Sequence, residues 1–262
     1  MKIIRNGQGF ELVEITQDDQ RRIRQQLRQA NLRLMKRCIK DALDILDHHR
    51  LSKEEIDYIE EIAKAPFLSV TERDERIRIS KGKGFKIRQS LEAEGLIKTH
   101  RVKTGRRGGP LAVLELTDRA YALLDDLEVR YERPRGHGSY CHKFWQHRIL
   151  MFAQARGWPA RIEDSRTGGK AVDVSVEWEE RHTAVEVLVE GVDKEISNLV
   201  QDLDEGYDQV IFCVVDDKTR ERLKQQIEKE FGGDLFTQGR VAFLKLATFL
   251  DPPSDGGTAG DE

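Results

Sequence analysis

The sequence predicts an α+β first half and an α/β second half, and three observations carry that reading. Between residues 51 and 130, successive helix-start signals are followed by two short strands around a glycine-rich tip. Between 139 and 250, strands alternate with helical segments in the order expected of a mixed sheet flanked by helices. Hydrophobic residues make up 38% of the 262, enough for more than one core, which argues against a disordered chain.

The elements follow in order. After an N-terminal strand, Ile23, Leu27, Ala30, Leu34, Cys38, Ala42 and Ile45 recur at three- and four-residue steps and predict one long helix from Thr16, so that residues 1–50 form a strand and a helix. A second stripe (Leu32, Met35, Ile39, Leu43, Leu46) predicts that its later turns are covered on two sides, by the following domain or by a second copy in a homodimer. Ser52 and Glu55 carry the signature of a capping box ahead of Ile56, Ile59, Ile62 and Ala63, and Ser69 and Glu72 repeat it. A further helix over 80–94 is expected to turn Phe85, Ile87 and Leu91 towards a core and to stop at Gly95. Strands at 97–104 and 111–117 flank the tip GRRGGP, and Thr117 and Asp118 open another helix. Pro134, Gly136 and Gly138 mark 131–138 as a linker between the helix-and-hairpin region 51–130 and the second domain 139–250, with residues 1–130 and 138–250 expected to fold separately. The last segment, 251–262, has little to bury and reads as a disordered acidic tail.

Composition narrows the setting. Three widely spaced cysteines without a CxxC pair give no zinc pattern and suit a reduced, cytoplasmic protein. No run of 18 apolar residues exists, and the N-terminus lacks a signal core, so neither membrane spanning nor secretion is expected.

Charge is informative only by its placement. The chain has 44 basic and 47 acidic residues, a formal net charge of −3. Between 81 and 107, however, nine Lys or Arg face two Glu, a local excess of seven. Three helices, then a hairpin, with a basic third helix and a basic hairpin tip, describe a winged helix-turn-helix. Its partner is expected to be double-stranded DNA, with Lys81, Lys83, Lys86, Arg88, Arg101, Lys103, Arg106 and Arg107 neutralising phosphates.

The second half carries its own chemistry. In AVDVSVEW, Asp173 alternates with Val172 and Val174; in TAVEVLVEG, Glu186 alternates with Val185 and Val187. Strand parity places both carboxylates on one face of a hairpin, where two hard oxygen ligands can hold Mg²⁺ and orient water towards a phosphate. His142 and His147 are five residues apart on their helix, off the i, i+4 spacing of a zinc pair, and packing roles fit them better; His142 alone is kept as a candidate.

The helix at 139–156, the two acid-bearing strands, and the helix and buried strand that follow resemble the PD-(D/E)xK, or restriction endonuclease-like, fold over residues 138–246. GSYCHKFW (138–145), PFLSVTERDERIRIS (66–80), LELT (114–117) and NLVQDLDEGYDQVIF (198–212) are similar to winged-helix nuclease-like proteins of prokaryotes, often associated with HerA/FtsK-type ATPases. The resemblance implies Mg²⁺-dependent DNA cleavage with Asp173 and Glu186 as metal ligands, His142 and Gln201 as further candidate catalytic residues, and a DNA-translocating ATPase as partner. The chain departs from the pattern where it matters: two residues after Glu186 stands Leu188, not the lysine that would stabilise transition-state charge. Gln201, at the alternative position on the following helix, carries no charge either. Two readings therefore stand: a weak endonuclease, and a non-enzymatic DNA-binding regulator or adaptor built on the same fold.

Overall fold

The computed structural model describes residues 2–6, 9–13, 17–18, 21–22, 24–29, 31–32, 51–165, 171–178, 180–189 and 194–250. The second stripe of the N-terminal helix, apart from Leu32, and the C-terminal tail at 251–262 lie outside them. The chain divides into two compact units, residues 1–56 and 57–262.

In the first unit, β1 (Lys2–Asn6) pairs antiparallel with β2 (Gly9–Val13), so the single expected strand is a hairpin. Residues 17–18, 21–22, 24–29 and 31–32 are helical, with Leu27 and Leu32 exposed at 58% and 56%, while Ile23, Ala30, Leu34, Cys38, Ala42 and Ile45 of the expected long helix lie outside the described residues. The predicted capping box closes around Ser52 and Glu55: Glu55 N donates to Ser52 Oγ and Ser52 N donates to the Glu55 carboxylate.

The second unit begins within α1 (Lys53–Lys64), whose Tyr58, Ile59, Ile62 and Ala63 are buried. Next come α2 (Val70–Arg76), with both bonds of the Ser69/Glu72 capping box, and α3 (Lys81–Ala93), capped by Ser80. Gly95, at φ +66°, ends α3 in the left-handed conformation the sequence requires there. The strands β3 (Ile97–Val102) and β4 (Leu111–Leu116) form an antiparallel hairpin, and Val113 also makes a bridge to Ser69. Then follows α4 (Asp118–Asp126), capped by Thr117. Phe85 corrects the sequence reading of α3: Gly84, Ile87 and Leu91 are its buried residues, whereas Phe85 is 61% exposed.

Beyond residue 138, α5 (Tyr140–Gln154) precedes β5 (Ala160–Asp164), β6 (Val172–Trp178), β7 (Arg181–Leu188), α6 (Glu195–Asp204), β8 (Gln209–Val214), α7 (Asp217–Phe231), the short α8 (Asp234–Thr237) and β9 (Val241–Lys245). The five strands lie in chain order across one sheet; β5, β6 and β7 are antiparallel, and β7, β8 and β9 parallel. Parallel neighbours need crossovers, and α6 and α7 supply them. On one face Val174, Val176, Val185, Val187 and Cys213 pack with Phe144, Trp145 and Ile149 of α5. On the other, Ala184, Leu188, Val210, Phe212 and Val214 pack with Leu199 of α6 and Leu223 and Ile227 of α7.

The stretch 131–138 does not separate two closed cores. Phe67, Val102 and Val113 of the helix-and-hairpin half share one apolar cluster with Tyr140, Phe144 and Trp145. The Tyr140 hydroxyl lies 2.7 Å from both the Pro66 and Leu114 carbonyl oxygens and donates between them, while Arg148 grips the Glu72 carboxylate at 2.8 and 3.0 Å. Gly105, in the hairpin tip at φ +70°, sits so close to the Val215 carbonyl that a Cβ would run into it. The two halves are therefore one packed body, because long-range apolar contacts outweigh the flexible composition of the segment joining them.

Candidate nucleic-acid interface and carboxylate site

Burial sorts the expected phosphate ligands into two groups. Lys81, Lys83 and Lys86 are exposed on α3, and Arg101, Lys103 and Arg107 are exposed on β3 and the hairpin tip. Arg88 is directed inward instead: its Nη1 lies 2.7 and 3.0 Å from the Asp74 carboxylate oxygens and 2.8 Å from the Tyr58 hydroxyl. This triad fixes α3 against α1 and α2, and burial pushes the Tyr58 phenol up to about 12. Gly84 is small for the same reason, since a Cβ there would meet the Asp74 carboxylate at 2.5 Å. Arg106 donates to the Ala247 carbonyl at 2.7 Å, so one basic residue of the hairpin tip anchors it to the sheet domain.

The carboxylate site forms where β6 parts from β7. Their ladder runs from Trp178↔Arg181 to Val174↔Val185 and stops before Asp173. There Asp173 Oδ2 accepts the Val187 N–H at 2.8 Å, and Oδ1 accepts from Gln146 Nε2 at 3.1 Å and meets His142 Nε2 at 2.9 Å. Burial alone would raise the Asp173 pKa; the His142 imidazole, the Val187 amide and the Gln146 amide together hold it below the usual range. The result is an ionised carboxylate with three donors around its two oxygens.

Glu186 behaves differently. It is 4% exposed and lies on β7 between Val185 and Val187, which face α5, so alternation assigns it to the face of Ala184 and Leu188. Val172 also packs on that second face, while Val174 packs beneath α5. The strand therefore rotates at Asp173, whose carboxylate reaches α5. The shared face expected from strict alternation is not formed. Both charges still reach the Cys213 thiol, which is pushed up by burial first and by Asp173 and Glu186 in addition.

These positions bear on the expected Mg²⁺. Among the described residues, no group of three or more His, Cys, Asp or Glu side chains is arranged to hold a metal ion. Three of the lone-pair sites on Asp173 already face donors, one of them an imidazole nitrogen, and a hard cation needs such sites open. Leu188 belongs to the apolar cluster under α6 and α7. Gln201 lies on α6, across the sheet from α5, and is not among the groups bonded to Asp173.

Sequence reasoning missed two members of this region. Gln146 is 1% exposed and stands one turn after His142, so an i, i+4 search from His142 would have found it. Glu163, at φ +53° on β5, accepts from His137 N and lies 3.5 Å from the His137 ring, a tertiary contact that no local pattern announces. No known protein family matches the sequence, and neither does any curated protein. No helix among the described residues is long and apolar enough to cross a membrane.

Proposed function

We propose that this chain is a duplex-DNA-binding protein in which α1–α3 and the β3–β4 hairpin act as a winged helix-turn-helix, joined to a restriction endonuclease-like body that does not cleave DNA. The observation that carries the DNA reading is α3: Lys81, Lys83, Phe85 and Lys86 are exposed on it, while Arg88 anchors the helix through Asp74. A rigid basic helix with an apolar side chain amid its cations suits a major groove, where phosphates meet the lysines and a thymine methyl meets the ring. The non-catalytic reading of the body rests on Asp173, whose oxygens already face three donors, and on Leu188. The slow-nuclease reading draws support from one fact, that Asp173 is kept ionised where two strands part. A HerA/FtsK-type ATPase is the partner that the resemblance implies, and co-purification with such a motor tests it.

Gel-shift titrations of a short duplex over a range of salt test the binding. Replacing Lys81, Lys83 and Lys86 by Ala is expected to weaken affinity and to reduce the salt slope by about 2.7, near 0.9 for each phosphate left without its lysine. Unchanged affinity and slope would remove α3 from the interface. Incubating supercoiled plasmid with the protein and Mg²⁺ or Mn²⁺ tests the body; nicking that disappears in Asp173→Ala would establish the nuclease instead.

A further inference from the structure

An open groove of about 1150 Å³ runs between the ends of α1 and α4 and the side of α5. Four cations line it, Lys64, Arg130, Arg133 and Arg135, against two acids, Asp125 and Glu132. Two of the cations are committed: Lys64 pairs with Glu60 at 3.0 Å, and Arg133 pairs with Asp118 at 3.0 Å while lying over the Tyr121 ring. Arg130 and Arg135 are exposed and make no ion pair among the described residues. One of the acids is engaged as well, since Asp125 accepts from the Tyr131 hydroxyl at 2.7 Å. Arg130 and Arg135 are thus the groove's cations left for an outside anion, on a chain that is slightly acidic as a whole.

The groove also offers ring surface. Tyr131 and His147 are half-buried in its wall, and the His147 ring is tilted against Phe67 with centroids 4.8 Å apart. At one end, the residue after Arg135 is Gly136, which passes so close to Gln146 that a Cβ would lie 2.5 Å from its Oε1. Gln146 in turn donates to Asp173. The Arg135 end of the groove thus lies one side chain away from the carboxylate site.

Unpaired arginines along a concave track bind phosphates, and part-exposed rings beside them stack on bases that are free of a partner. A duplex keeps its bases paired and has no use for the rings. We propose that this groove binds a single strand of nucleic acid, with its phosphates on Arg130 and Arg135, its bases against Tyr131 and His147, and its path leading to Asp173. The inference rests on the nucleic-acid reading above for its ligand class, but it places a second ligand form on a second surface.

Fluorescence anisotropy with labelled oligo(dT), oligo(U) and a duplex of equal length, on the full chain, separates the two surfaces. The double variant Arg130→Ala/Arg135→Ala is expected to weaken oligo(dT) or oligo(U) at least several-fold and to reduce the salt slope by about 1.4, near 0.7 per neutralised phosphate on a single strand. Duplex affinity is expected to stay as in the wild type. Arg130→Lys/Arg135→Lys, which keeps the charge, is expected to recover most of the loss; no recovery together with a lowered melting temperature would make the arginines structural and overturn the proposal. Absence of single-strand binding by the wild type, or equal affinity in the double alanine variant, overturns it too. So does an equal loss for duplex and single strands. If duplex binding persists and falls with the α3 lysines in those cases, only the groove fails; if the wild type binds no nucleic acid at all, both readings fall.

Discussion

Arg88 offers the sharpest separation between architecture and recognition, because sequence assigns it to the phosphate-binding face and the structure assigns it to the core. Arg88→Ala removes bonds of 2.7 and 3.0 Å to Asp74 and of 2.8 Å to the Tyr58 hydroxyl, leaving the Asp74 side chain, 5% exposed, facing one phenol. Removing one partner of a buried ion pair costs on the order of 3–5 kcal/mol. The Arg88 side chain is 14% exposed, and water would enter part of the gap, so the low end applies, about 3 kcal/mol. For a unit of this length that corresponds to a melting temperature lower by roughly 6–12 °C. Urea titration followed by far-ultraviolet circular dichroism is the assay, with the m-value expected to stay constant. A cycle with Asp74→Ala supplies the control: the double variant is expected to cost much less than the sum of the singles, since neither charge is then left alone. Should Arg88→Ala unfold as the wild type does and lose duplex affinity instead, the guanidinium works outward and the assignment is refuted.

Three further outcomes are expected. Gly105→Ala places a Cβ on the Val215 carbonyl at φ +70° and should cost clearly more than Gly95→Ala, which at φ +66° meets nothing within 4 Å and pays only the left-handed strain of about 1 kcal/mol; urea midpoints of the two compare them directly. His147 is held below the ordinary histidine value by burial first and by Arg148 next, so the folded state resists its protonation. As pH falls below the unfolded value of about 6.5 towards the lower folded one, the unfolded chain takes up the proton first and stability declines; His147→Gln should flatten that decline in denaturation curves at successive pH values. Leu188→Lys, which restores the charge the nuclease pattern asks for, puts an ammonium into the cluster around Leu199 and Val214 and should lower stability by at least about 2 kcal/mol without producing plasmid cleavage; a stable, cleaving variant would show an intact active site around it.

What the sequence reveals is whatever local chemistry determines. The capping pairs Ser52/Glu55 and Ser69/Glu72 and the left-handed Gly95 are all where their residue types require. Phe85 leaves its expected place for a geometric reason: it and Ile87 lie two residues apart, about 200° around a helix, and cannot share a face. Strict alternation puts Asp173 beside Glu186, and one rotation of β6 moves it to α5. Arg88 looks like its lysine neighbours because a sequence carries the charge of a side chain but not its partner; Asp74 lies fourteen residues away. The linker reading fails through contacts more distant still. The Tyr140 bond to Pro66 spans 74 residues, and nothing in YERPRGHGS reports it.

That tyrosine has a consequence for how such a protein can change over generations. Its hydroxyl is shared between the carbonyl that follows α1 and one on β4, and its ring lies between Phe67 and His100. Recombination that transplanted the helix-and-hairpin half onto another body would carry Phe67, Val102 and Val113 into water and strip both carbonyls of their donor. The seam must therefore vary on both sides at once. A lineage could change the outer surface of α3 by substitution, but not by exchanging the helix-and-hairpin half for another.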